Sequence, residues 1–122
     1  MDSYLGTFAV DDNIHTAKLS PRTDTGAQWG TGMGTGWTAE LEVHKAGVDT
    51  VLTTLSGTWE TADEFSALFI IGTVALLAPT APDVSSDYDA FLKLTKLTSV
   101  YIAGPDGDAR TPFRFTVRNV SP

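Results

Sequence analysis

The sequence predicts an all-β fold: a single antiparallel β-sandwich or small barrel with an irregular N-terminal arm. Apolar and polar residues alternate along several stretches that follow Trp37, and a period of two is that of a strand with one buried face. Turn residues separate these stretches at short intervals, as in sandwiches and small barrels. Threonine, which favours strands over helices, occurs 18 times among the 122 residues.

The strands can be placed by following this alternation along the chain. In the first of them, Ala39, Leu41 and Val43 alternate with polar neighbours. The predicted strands are residues 37–44, 48–55, 64–71, 88–97 with a continuation to 102, and 113–118, with a short edge strand near residues 4–10. The strongest turn signal, Gly-Pro-Asp-Gly-Asp at residues 104–108, precedes the last strand.

Residues 1–36 have a different character from the rest of the chain. Turn residues are dense there, and residues 30–36 contain four glycines, which is typical of a flexible hinge. We therefore divide the chain into an arm with its hinge (1–36) and a β-sandwich domain (37–122), and we expect fast amide exchange in the arm of the free monomer. Aromatic and apolar side chains of the arm, with the first residue of the domain, are the predicted partner contacts: Tyr4, Phe8, Trp29, Met33 and Trp37.

Charge and composition exclude several functions. The net charge of −7 argues against binding to nucleic-acid phosphates or to anionic membranes. The absence of cysteine excludes disulfides, thiol catalysis and thiolate metal sites. The longest apolar run, residues 67–78, is shorter than the ~20 residues of a spanning helix. The charge is uneven, since residues 37–78 hold one cation and six anions whereas residues 79–122 hold five of each.

Motifs for catalysis or cofactor binding are weak. His15 and His44 are interpreted as ordinary surface histidines, since two histidines alone do not complete a zinc site. The acidic turn at residues 106–108 has too few spaced oxygen ligands for calcium, and the glycine run lacks the strand, helix and lysine of a phosphate loop. No G-x-S-x-G motif is present. The prediction is a protein without enzymatic activity and without a cofactor.

A set of short segments resembles the small β-sandwich accessory proteins of tailed-phage virions, both head decoration proteins and the N-terminal type of baseplate upper proteins. The resemblance lies in a tryptophan before an alternating strand, in a strand that begins with tyrosine (YDAFLKLT, residues 88–95) and in element order. The matching segments are residues 41–43, 57–59, 63–72, 88–95 and 113–117.

This resemblance implies a virion structural protein, most specifically a capsid decoration protein attached to the head shell. Its partners would be the major capsid protein or tail proteins, and its copies would form homo-oligomers or a lattice. The alternatives are a tail or baseplate adaptor and a carbohydrate-binding sandwich that uses Trp29, Trp37 or Trp59 as a stacking platform. A small hydrolase that uses Asp/Glu pairs is a third hypothesis.

Overall fold

The computed structural model describes residues 4–23, 25–27, 29–30, 32, 34–60, 65–81, 83–107 and 111–119. They form two β-sheets packed together, which confirms the predicted all-β sandwich, and the described strands do not close into a barrel. The strands are β1 (Tyr4–Ala9), β2 (Thr16–Leu19), β3 (Thr38–Lys45), β4 (Thr53–Ser56), β5 (Thr58–Trp59), β6 (Ala67–Ile70), β7 (Ser85–Lys96), β8 (Ser99–Ala103) and β9 (Phe113–Arg118). A 3-10 turn spans Ala75–Leu77.

The larger sheet is organised around β7, which has 12 residues and pairs with three other strands. β3 runs antiparallel along one side of β7, and β4 pairs with the far side of β3. On the other side, the first half of β7 pairs with β9 and the second half with β8. β1 pairs with β9 alone, so the far side of β8 has no described neighbour in the sheet.

The pairing of β1 with β9 is parallel, which departs from the purely antiparallel sandwich that the sequence predicts. The other described pairings are antiparallel. Antiparallel neighbours are joined by tight hairpins, whereas parallel strands need a long connection. Seven other described strands lie between β1 and β9 in the sequence, so no hairpin sets their relative direction.

The core lies between the larger sheet and a smaller sheet of order β2-β6-β5. The residues that the alternation placed on the inner faces of β3, β7 and β9 are buried, and burial of each large apolar side chain stabilises the fold by about 1.5–3 kcal/mol. These inner residues are Ala39, Leu41, Val43, Tyr88, Ala90, Leu92, Leu94, Phe113, Phe115 and Val117, and the smaller sheet adds Ala17, Leu19, Ala67 and Phe69.

The N-terminal segment differs from the expected arm. Residues 4–23 supply a strand to each sheet, and Phe8, Leu19 and Trp29 belong to the same buried cluster as the strands that follow residue 36. The sequence reads as irregular because β1 and β2 are short and are separated by a turn of acidic residues. Their backbone groups nevertheless find partners in β9 and β6, which satisfies the hydrogen-bonding requirement of buried backbone.

Candidate interaction surface

The five predicted partner contacts do not share one surface. On β1, Tyr4 is 52% exposed whereas Phe8 is only 6% exposed. In a regular strand residues four apart share a face, but the register shifts between Tyr4 and Thr7, where Gly6 has a φ of 114°. This β-bulge places Tyr4 on the outer face of the larger sheet and Phe8 in the core.

The predicted contacts Trp29 and Trp37 join Trp59 in one aromatic cluster. The ring centroid of Trp29 lies 5.7 Å from that of Trp37 and 6.3 Å from that of Trp59. Trp59 Nε1 donates a hydrogen bond of 2.7 Å to the carbonyl oxygen of Trp37. Because Trp29 is buried, it acts as a packing residue rather than as an exposed contact. The fifth predicted contact, Met33, lies outside the described residues.

The most exposed leucine of the described chain lies at the tip of the β7–β8 hairpin. Leu97 is 95% exposed, and its φ of 53° is in the left-handed region. Lys96 pairs with Ser99, so Leu97 and Thr98 alone form the turn. Two-residue hairpins place glycine, asparagine or aspartate at positions of positive φ. The backbone of Leu97 is therefore strained, and burial of its side chain does not offset the cost of that strain.

The strand that follows this tip presents apolar side chains to solvent. Val100 is 56% exposed, and Ile102 is also exposed. Tyr101 points to the opposite, inner side, where its hydroxyl donates a hydrogen bond of 2.7 Å to the carbonyl oxygen of Arg22. An exposed, uncharged edge strand is a site where another chain can pair. Leu97 and β8 therefore form the candidate interaction surface.

Sequence reasoning missed this surface because it extended one strand through residue 102. Leu-Thr is not a turn dipeptide, so the usual turn signals are absent. The alternation itself does mark the end of β7. Its buried apolar series ends at Leu94, and the next position on the inner face is the exposed Lys96. A charged residue at an inner position indicates the end of a strand.

A polar network occupies the same outer face at the other end of β7. Thr116 Oγ1 donates a hydrogen bond of 2.7 Å to Asp87 Oδ1 and accepts one of 3.0 Å from the Tyr4 hydroxyl. Asp89 accepts a hydrogen bond of 3.1 Å from the backbone N–H of Gly47, and its Oδ1 lies 3.6 Å from Arg114 Nε. These carboxylates have partners within the protein, and they bind β1, β7, β9 and the β3–β4 loop together.

His44 corrects one expectation, since it is 8% exposed rather than an ordinary surface histidine. It lies under the β3–β4 loop, and its ring centroid is 5.9 Å from that of Phe91 in an edge-to-face arrangement. Together with Asp49 and Asp89 it lines a cavity of about 330 Å³. Its Nδ1 is buried and has no hydrogen-bond partner among the described residues, and the ring packs against that of Phe91.

His15 lies in the β1–β2 turn, where Asp12 organises the backbone. Asp12 Oδ1 accepts hydrogen bonds from the backbone N–H groups of Ile14 (2.8 Å) and His15 (3.1 Å), and its Oδ2 lies 2.6 Å from His15 Nδ1. The hydrogen bond from Ile14, followed by those from His15, holds the pKa of the Asp12 carboxyl below its usual value of 3.8. Hydrogen bonds to an ionised carboxylate favour that form.

Replacement of Asp12 by asparagine should therefore give a pH-dependent difference in stability. A carboxyl whose pKa is lower in the folded state stabilises the protein above its unfolded pKa of 3.8, and the stabilisation is lost as the pH falls through the folded pKa. Urea unfolding of both proteins at pH values from 5 down to 2 should give a difference in unfolding free energy that shrinks below about pH 4. A difference that persists unchanged at pH 2 would contradict this assignment.

The same described residues contain neither a metal-ligand cluster nor a membrane-spanning helix. Within the described part of the chain, no group of three or more His, Asp or Glu side chains is placed to hold a metal ion. Among those residues there is also no helix with the length and apolarity needed to cross a membrane. Comparison with protein-family models, curated proteins and solved structures finds no match.

Proposed function

We propose that the chain is a non-enzymatic structural protein of a tailed-phage virion, most specifically a decoration protein that binds the major capsid protein on the head shell. The observation that supports a binding role most directly is Leu97, a leucine that is almost fully exposed at positive φ. Burial of a leucine side chain on a partner contributes about 1.5–3 kcal/mol. An apolar contact offsets the backbone strain at this position only when a partner covers it.

The resemblance in sequence to accessory proteins of tailed-phage virions supports the virion part of this proposal, and the all-β fold is compatible with it. A sandwich that is stabilised by its own core can fold first and then bind to a lattice of other proteins. Many identical weak contacts on a symmetric shell give firm attachment, because each neighbouring contact raises the effective concentration of the next. A carbohydrate-binding role has less support, since Trp29 is buried and Trp59 Nε1 is already bonded to Trp37.

The copy number of the protein in purified virions tests the proposal. Quantitative mass spectrometry should find the chain at a number comparable to that of the major capsid protein. A few copies per particle would instead support the tail or baseplate adaptor, which uses the same tip for a different neighbour. Absence from the particle would overturn the virion assignment.

The variant Leu97→Asn separates attachment from folding. Asparagine adopts positive φ more readily than leucine, so the variant should be as stable as the wild type or more stable by about 0.5–1 kcal/mol. Its attachment to particles that lack the protein should weaken by roughly ten-fold or more, since the lost burial is about 1.5–3 kcal/mol. Co-sedimentation with such particles measures the attachment, and urea unfolding measures the stability.

The matched control is Ile14→Asn, which also replaces an exposed aliphatic side chain, in the β1–β2 turn away from the hairpin. This control should attach like the wild type. Unchanged attachment of Leu97→Asn would exclude the hairpin tip as the contact. Equal loss in both variants would show that apolar surface in general, rather than this tip, drives attachment.

A further inference from the structure

The edge of β8 that faces away from β7 carries unused backbone hydrogen-bonding groups. In a two-residue hairpin the pair that closes the turn, here Lys96 with Ser99, exchanges backbone hydrogen bonds, and such pairs then alternate with pairs that do not. The N–H and C=O groups of Val100 and Ile102 consequently point away from β7. No described residue pairs with them, because β1 covers the edge of β9 and stops short of β8.

The usual protections of an edge strand are missing from β8. Proteins block unwanted pairing with lysine, proline, bulges or inward-pointing charges on the edge. The sequence of β8, Ser-Val-Tyr-Ile-Ala, contains no charged residue and no proline, and its register with β7 is regular along all five residues. Its outward side chains, Val100 and Ile102, are exposed and apolar.

Charge favours a second copy of this chain as the occupant of the edge. The protein has a net charge of −7, so two copies repel each other over most approaches. Residues 79–122, which contain β7, β8 and β9, carry five cations and five anions, whereas residues 37–78 carry a balance of −5. Beside β8 itself the described charges are Lys93 and Lys96 of β7 and Asp106 of the following turn. Because β3 and β4 lie on the other side of β7, approach through β8 keeps the acidic strands of the two copies apart.

We infer that β8 pairs antiparallel with β8 of a second copy, about a two-fold axis at Tyr101. In this register Val100 lies opposite Ile102 of the second copy and Ile102 opposite Val100, and the outward backbone groups of all four residues form hydrogen bonds. Their side chains meet on the outer face as one apolar cluster. The two larger sheets become one continuous sheet, and both Leu97 tips remain free.

This inference stands on β8 and does not need the virion assignment. An interface of one short strand from each copy is smaller than that of permanent dimers. We therefore expect a weak dimer that forms between about 10 µM and 1 mM protein. On a crowded shell the same contact would operate between neighbouring copies at a high effective concentration.

Sedimentation velocity over this concentration range tests the pairing. The wild-type mass should rise from the 13.0 kDa monomer towards twice that value. Val100→Lys should remain monomeric, because a lysine next to Ile102 of the second copy desolvates a charge in the apolar cluster. Ile70→Lys, the same kind of change at a 45% exposed position of β6 in the other sheet, should associate like the wild type.

Amide exchange gives a second, residue-specific measurement. The N–H groups of Val100 and Ile102 should exchange more slowly as the concentration rises, whereas that of Tyr101, already bonded to β7, should not change. If Val100→Lys does not fold, Val100→Thr keeps the β-branched shape and should weaken the dimer several-fold. A wild type that stays monomeric, a lysine variant that still dimerises, loss of association in Ile70→Lys, or growth beyond the dimer would each overturn the pairing.

Discussion

Replacement of Phe8 by alanine is expected to lower the free energy of unfolding by about 3–5 kcal/mol, the usual cost of removing a buried phenylalanine ring. The ring is 6% exposed, and its centroid lies 6.1 Å from that of Phe115 in an edge-to-face arrangement. The Phe115 ring in turn stacks on that of Tyr88, with centroids 5.4 Å apart. Loss of Phe8 therefore leaves a cavity beside a chain of rings that joins β1, β9 and β7.

Tyr4→Ala on the same strand is the matched control. Tyr4 is half exposed, and its hydroxyl bonds to threonine side chains, so its loss should cost only about 1 kcal/mol. Urea unfolding followed by tryptophan fluorescence gives both values, and an unchanged m-value would show that the same two states are compared. If Phe8→Ala were as stable as Tyr4→Ala, Phe8 would not be a core residue. The sequence-based prediction that Phe8 contacts a partner would then stand again.

The sequence predicted the strands whose inner residues alternate without interruption. β3, β7 and β9 follow this rule because one face of each is buried over residues 39–43, 88–94 and 113–117, so every second residue there must be apolar. The turn at residues 104–107 was also predicted, and it contains the expected hydrogen bond from Gly107 N–H to the Gly104 carbonyl oxygen, 3.1 Å long. In these segments local pattern and tertiary burial agree.

Prediction was less successful where tertiary context decides the position of a residue. The bulge at Gly6 reverses the face of Phe8, and no rule of regular alternation reveals such a reversal. Burial of His44 depends on the loop that folds over it, and that loop is recognised only once β3 and β4 are paired. β2 was missed because four residues between a turn and Pro21 are too few to show a period.

The candidate interaction surface was not predicted from the sequence, for a related reason. Exposure of Val100 and Ile102 depends on which strand covers which edge, and a sequence does not state that β1 pairs with β9 rather than with β8. The strained backbone of Leu97 is likewise a property of the folded hairpin. Sequence patterns identify what must be buried, whereas surfaces that bind partners are residues that the fold leaves uncovered.

Gly72→Ala is expected to destabilise the fold by about 2–4 kcal/mol through overpacking and the loss of a hydrogen bond. A Cβ atom at Gly72 would lie 2.5 Å from the carbonyl oxygen of Asp12, 2.9 Å from its amide nitrogen, and in collision with the carbonyl oxygen of Ala9. These are backbone atoms, so no side chain can rotate away. The displaced segment also carries the Asp11 N–H, which donates a 2.7 Å hydrogen bond to the Gly72 carbonyl oxygen.

The control Gly47→Ala changes backbone conformation without a collision. Gly47 has a φ of 78°, and a Cβ atom there would meet nothing within 4 Å, so only the strain of positive φ, about 1 kcal/mol, is expected. Urea unfolding should give a clearly lower free energy of unfolding for Gly72→Ala than for Gly47→Ala. Amide exchange in β1 should accelerate in the Gly72 variant alone. If the N-terminal segment were an independent arm, the opposite result would be expected. Residues 9–12 would then move freely, and a methyl group at Gly72 would meet no fixed backbone. Neither the free energy of unfolding nor amide exchange in β1 would change. The comparison therefore decides whether β1 folds with the sandwich or as an appendage to it.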